Sequence, residues 1–166
     1  MKKSLKVISK ENPIVIFGLV LALVLVISLI VINIIPNGDL VLQDVETGQI
    51  YKRFHLGKDG RFAVTFIDSV SKTPYTDYYQ VGPEGILSVG ARYYEYGAGV
   101  PATVHEDSEI EYADDGAVVV SGPGREMDRV VYFIGSVSDL VLGVQGEKHG
   151  LTYITGEAKL VELNIK

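Results

Sequence analysis

The chain has 166 residues, no cysteine and a formal charge of −6. That length holds one modest domain, and the missing thiols exclude a disulfide framework, a thiolate nucleophile and any cysteine-ligated metal. Lys2, Lys3, Lys6 and Lys10 against Glu11 give the first 13 residues +3, so the remainder carries −9; a domain that acidic repels phosphate backbones, which argues against nucleic acid as a partner.

Residues 14–35 read IVIFGLVLALVLVISLIVINII, 22 residues without a charge. As a helix this run reaches about 33 Å at ~1.5 Å per residue, enough for a hydrocarbon core of about 30 Å. Pro13 suits a first helical turn, and Pro36-Asn37-Gly38 ends the run. Four lysines precede it and none follows until Lys52. The positive-inside rule therefore sets residues 1–13 in the cytoplasm and 36–166 outside. A cleaved signal peptide would carry a shorter apolar region and a small-residue cleavage site, which Ile-Asn-Ile-Ile-Pro lacks. The expectation is a single-pass anchor in the bilayer of the cell membrane. Gly18 and Ala22 form a small-xxx-small pair of the kind that brings helices together, and such pairs are also ordinary in lipid-facing spans.

From Asp39 onward, short runs rich in Val, Ile, Tyr and Phe alternate with Gly, Pro and Asp turns, the pattern of antiparallel β-structure. Leu40–Glu46 and Gln49–Leu56 flank Thr47-Gly48, a turn expected to set Val41, Gln43 and Val45 opposite Phe54, Lys52 and Ile50. In Arg61–Val70, Phe62, Val64 and Phe66 alternate with Ala63, Thr65 and Ile67, as in a strand with one face on a core. A Ser-Lys-Thr-Pro turn follows, then a strand through Tyr78, then Ile86–Tyr96. Asp115-Gly116 is a two-residue hairpin signal joining Glu109–Asp114 to Ala117–Ser121. Arg129–Ile134, Asp139–Val144, Leu151–Thr155 and Leu160–Ile165 follow. The fold class expected is all-β, an antiparallel sandwich or barrel of about ten short strands after one transmembrane helix.

Functional-looking side chains gather in 66–81. A loop centred on Lys72-Thr73 pairs Val70 with Tyr75, Ser69 with Thr76, and Asp68 with Asp77. Two facing carboxylates about 5 Å apart repel by about 3 kcal/mol at an effective dielectric near 20. Relief is available from Lys72, from Arg92 on the next strand, from a bound cation, or from protonation of one acid. A frayed, solvated strand end relieves it as well, and a one-residue bulge abolishes the pairing. Six of the ten tyrosines, including Tyr79 and Tyr96, fall within 22 residues; each suits either ligand contact or half-buried packing. Tyr96-Gly97-Ala98-Gly99-Val100-Pro101 can present backbone amides to an anion or form a tight sheet-edge connection. His105, Glu106 and Asp107 are adjacent, so on a strand they cannot all face one metal, and the acidic run from 105 to 115 reads as a solvated edge. Ser69 has no histidine with a nucleophile-activating signature. No cofactor is implied and no catalytic residue is assigned.

Phe66-Ile67-Asp68-Ser69-Val70-Ser71-Lys72-Thr73-Pro74, followed by Asp77-Tyr78-Tyr79 and Tyr96-Gly97-Ala98-Gly99-Val100-Pro101, resembles the bacterial domain of unknown function 1850 family over about residues 62–155. Asp68 stands where that family shows His, and Asp77 where it shows Glu. The resemblance brings no established activity. It implies an accessory role beside the transporter or solute-receptor subunits of a TRAP-type uptake system of the TAXI branch, through association of the genes. The expectation is a non-enzymatic, externally displayed binding domain that uses Asp68, Ser69, Lys72, Thr73, Asp77, Tyr79, Arg92, Tyr96, Gly97, Gly99 and Pro101 to meet a partner protein or solute. The alternatives are a small-ligand or cation sensor and an envelope hydrolase.

Overall fold

The computed structural model describes residues 17–26, 38–95, 107–122, 124–136 and 139–166. The chain divides into two units, residues 1–35 and 36–166. In the first, residues 17–26 form a helix (α1) whose apolar side chains are exposed. No helix among the described residues is long and apolar enough to cross a membrane. Residues 14–16 and 27–35 of the expected span lie outside the described residues.

The second unit is all-β, with two antiparallel sheets. The small sheet has the order β2-β1-β12-β9, built from β1 (Asp39–Asp44), β2 (Ile50–His55), β9 (Arg129–Ile134) and β12 (Lys159–Ile165). The large sheet has the order β11-β10-β3-β4-β5-β7-β6. Its strands are β3 (Arg61–Ile67), β4 (Pro74–Val81), β5 (Ile86–Tyr93), β6 (Glu109–Tyr112), β7 (Val118–Ser121), β10 (Val141–Val144) and β11 (Glu147–Gly150), and β8 (Glu126–Met127) pairs with β5.

Period-2 alternation decides which side chains meet between the sheets. Leu40, Leu42, Val130, Val161 and Leu163 from the small sheet pack in one buried cluster with Phe62, Val64, Tyr79, Leu142 and Val144 from the large one. The sheets therefore form a sandwich. Each fully buried Leu or Val here contributes about 1.5–3 kcal/mol.

Several local expectations change. The β1–β2 register slips by one, so that Leu40 opposes Phe54 and Leu42 opposes Lys52, with a bulge between Leu42 and Gln43. Asp44 causes this by closing the turn itself: its Oδ1 accepts the amides of Glu46 and Thr47, and Oδ2 accepts the Tyr51 hydroxyl. The Asp115-Gly116 turn is a three-residue loop, with Ala113 bonded to Ala117 and Gly116 at φ +85°. That geometry suits a type I turn ending in a left-handed residue. Leu151–Thr155 is a short helix (α2), not a strand. Gln145 and Gly146, both at positive φ, already turn β10 back as β11. Asp139 Oδ1 then accepts the Thr152 amide and so holds the first turn of the helix. The acidic β6 is the exposed edge of the large sheet, with all four residues solvent-facing.

Candidate functional site

The β3–β4 connection is wider than the sequence suggests. Ile67 pairs with Pro74, Phe66 with Tyr75 and Val64 with Asp77, so Asp68 and Asp77 do not face each other. Asp68 leaves the ladder to cap the turn. Its Oδ1 accepts the amides of Val70 (2.9 Å) and Ser71 (2.7 Å) and the Ser71 hydroxyl, and its carbonyl accepts the Lys72 amide. Those donors, Ser71 first, hold its carboxyl below the usual range, and the Lys72 charge adds the smallest share. Lys72 itself sits at φ +59°. Thr73 shares a 2.7 Å hydrogen bond with Ser71. Ser69 is exposed and has no hydrogen-bonded base among the described residues. An aspartate that accepts amides two and three residues on is a turn-forming device, and it accounts for this cluster of polar residues.

Arg92 is not the counter-charge of either acid. It lies on the outer face of β5 and binds Asp115 Oδ2, which also accepts the Tyr94 hydroxyl. Tyr94, then the Ala117 amide and Arg92, keep the Asp115 carboxyl low. Tyr96, Gly97, Gly99 and Pro101 lie outside the described residues.

Asp77 is on the inner face, between Val64 and Ala91. Tyr132 of β9 reaches across the sandwich and donates to Asp77 Oδ2 at 3.1 Å; its hydroxyl is also 2.7 Å from that of Tyr79. Burial pushes the Asp77 carboxyl up, against the opposing pull of the hydroxyls of Tyr132, Tyr79 and Tyr75. Burial likewise raises all three phenols, so they remain donors. Tyr75 stacks between Phe66 and Tyr93, with centroids 5.1 and 5.8 Å away, and Tyr79 stacks on Phe62. This is a closed strut between the sheets. Tyr132 was not singled out from sequence, although a tyrosine alternating with Val130 and Ile134 signals a core position that needs a polar partner.

The opposite face of the large sheet carries an open feature. Ladder pairs place Lys148, Gly143, Ala63, Tyr78, Gly90, Ser121 and Glu109 side by side in one row across the seven strands β11-β10-β3-β4-β5-β7-β6. Small residues flank Tyr78 on both sides, leaving a trough of about 530 Å3 with Arg61, Gln145 and Ser121 on its walls. A Cβ on Gly143 would meet only Ala63, at 3.8 and 4.0 Å, so the space above it is free. At Gly90 a Cβ would strike the Val120 carbonyl at 2.3 Å, so that glycine is required by close backbone approach. Arg61 has no ion-pair partner among the described residues. An exposed aromatic platform beside an unpaired guanidinium can hold the apolar body and the anionic end of a small solute. Gly143, inside β10, and Gly90, beside the bulge where β5 shifts register against Tyr78 and Tyr79, were the sequence signal for it: interior strand glycines mark bulges or close approach of another group. No three His, Asp or Glu side chains among the described residues converge to hold a metal ion.

A family model described as domain of unknown function (DUF1850) matches residues 62–151. The match takes in nearly all of the large sheet together with β9, and so Asp77, Tyr132 and most of the trough lining, but leaves out Arg61, β1, β2 and β12. No curated protein and no solved structure matches the chain.

Proposed function

The chain belongs to the domain of unknown function (DUF1850) family, and from that premise we propose that it is a non-enzymatic binding domain that holds a small organic solute in the outer trough. The observation that carries this reading is the row Gly143, Ala63, Tyr78, Gly90, in which small residues clear space around one exposed aromatic. A trough of about 530 Å3 is in the size range of small-molecule sites. Asp68 and Asp77, by contrast, serve the scaffold, one capping a turn and the other accepting from tyrosine.

In the same reading residues 14–35 tether the domain to the cell membrane, with residues 1–13 in the cytoplasm and the binding domain outside. The uncharged run and the four lysines before it support this. The association suggested by the family resemblance makes it an accessory to the transporter or solute-receptor subunits of a TRAP-type uptake system.

The test uses the full chain in detergent micelles, with thermal unfolding followed against separate panels of carboxylic acids, amino acids and sugars. A ligand at 100 times its Kd stabilises the folded state by about 2.7 kcal/mol. At least one class is expected to raise Tm saturably, and Gly143→Leu, which fills the trough, is expected to remove that rise. No shift with any class, or a shift that survives Gly143→Leu, overturns the reading.

A further inference from the structure

A second opening lies where the two sheets meet at their edges. β2 is one edge of the small sheet and β11 one edge of the large one. Phe54 of β2 packs at a tilt on His149 of β11, with centroids 5.0 Å apart. Gln145, in the β10–β11 turn, donates through Nε2 to the His55 carbonyl at 2.7 Å. The cleft between these strands measures about 310 Å3, and its lining includes Lys52, Arg53, His55 and His149 against a single acid, Glu147.

The charge of this lining runs against that of the domain. Residues 36–166 carry −9, yet the cleft gathers two permanent cations and two imidazoles. Lys52 and Arg53 have no ion-pair partner among the described residues. The Lys52 ammonium stands 4.9 Å from the centroid of the buried Phe54 ring, a cation–π contact that holds the charge at the cleft. The groups facing His149 are Glu147, at 3.7 Å, and Phe54; His55 faces Asp39, at 3.4 Å. Glu147 is 79% exposed, and Lys52 and Arg53 are exposed too, so water and salt screen all three charges and the two cations outweigh the one acid.

We infer that this edge cleft binds the oxyanion group of a small solute, a sulfate-, phosphate- or carboxylate-type head, between Lys52 and His149, with Arg53, the next residue on β2 and so on its other face, reaching in around the sheet edge. The Lys52 ammonium supplies a compact charge and the Arg53 guanidinium a planar fork for two oxygens. The His149 imidazole adds a ring N–H donor. The cleft is separate from the trough: Gln145 borders both, but Gly143 lines only the trough.

Isothermal titration of the full chain in detergent, at constant ionic strength, tests this with sulfate and with acetate as the carboxylate probe. Saturable binding of at least one of them is expected. Lys52→Gln and, separately, Arg53→Gln should each weaken it tenfold or more, and Gly143→Leu should leave it unchanged. Absence of saturable binding by both anions, or unaltered affinity in both Lys52→Gln and Arg53→Gln, overturns the inference. A loss caused by Gly143→Leu also overturns it, by assigning the anion to the trough.

Discussion

The inner and outer faces of the large sheet are made by alternate residues of the same strands, and they have opposite characters. Inward, Val64, Asp77 and Ala91 lie in one row, and the single carboxylate is closed off by tyrosine hydroxyls from both sheets. Outward, one residue along, Ala63, Tyr78 and Gly90 lie in a row lining the open trough, with free space above the neighbouring Gly143. The residues richest in chemistry build the scaffold, and the plainest ones open the cavity. A buried polar group demands partners and becomes fixed by them, whereas an open site is defined by side chains that are missing.

The contrast is tested most strongly at two neighbours on β10. Leu142 is fully buried on the inner face, so Leu142→Ala is expected to cost about 2–5 kcal/mol in urea unfolding. Gly143→Leu, on the outer face, is expected to stay within about 0.5 kcal/mol of the parent while removing solute binding. Comparable destabilisation by both would erase the distinction between the faces.

Next in size is the strut. Tyr132→Phe takes the cross-sandwich donor from a half-buried carboxylate and is expected to cost about 1–3 kcal/mol. It should not alter solute affinity in the trough; a parallel loss of affinity would mean that the inner network reaches the outer face.

Half-buried Asp77 and buried Asp44 predict pH dependences of opposite sign. Burial raises the Asp77 carboxyl, so the folded protein holds that proton to higher pH than the unfolded chain does. Stability then falls as pH rises from the unfolded value of about 4 through the folded one, and levels off above it. Asp77→Asn removes this slope, and the variant's stability relative to the parent should grow over that window and then plateau. Asp44 is held down to about 2, first by the Thr47 amide and then by the Tyr51 hydroxyl. Its contribution is complete above the unfolded value and is lost as pH falls from about 4 toward about 2. Asp44→Asn should flatten that acid limb, the smallest of these effects. Parallel parent and variant curves in either case would contradict the assigned environment.

Much of the architecture was legible in the alternation of Phe62, Val64 and Phe66, and Asp115-Gly116 marked the β6–β7 hairpin though not its three-residue loop. Register failed most where a side chain, rather than the backbone, closed a turn. Asp44 and Asp68 each accept amides two and three residues on, which spends extra residues in the loop and shifts every pair behind it. The opposed Asp68 and Asp77 were a product of that miscount. Leu151–Thr155 read as a strand because its apolar residues suit either state over so short a run. The trough was harder to read: it needs Gly143, Ala63 and Gly90 in one row, and only the ladder of β10, β3, β4 and β5 brings them there.

The central claim, that the outer trough carries a solute, is tested most directly by mass spectrometry of small molecules released on denaturing the full chain after purification from its native membranes. The parent protein is expected to release one solute in near-stoichiometric amount, and Gly143→Leu, handled identically, to release none. Equal amounts from both proteins, or no solute from either, would contradict the account.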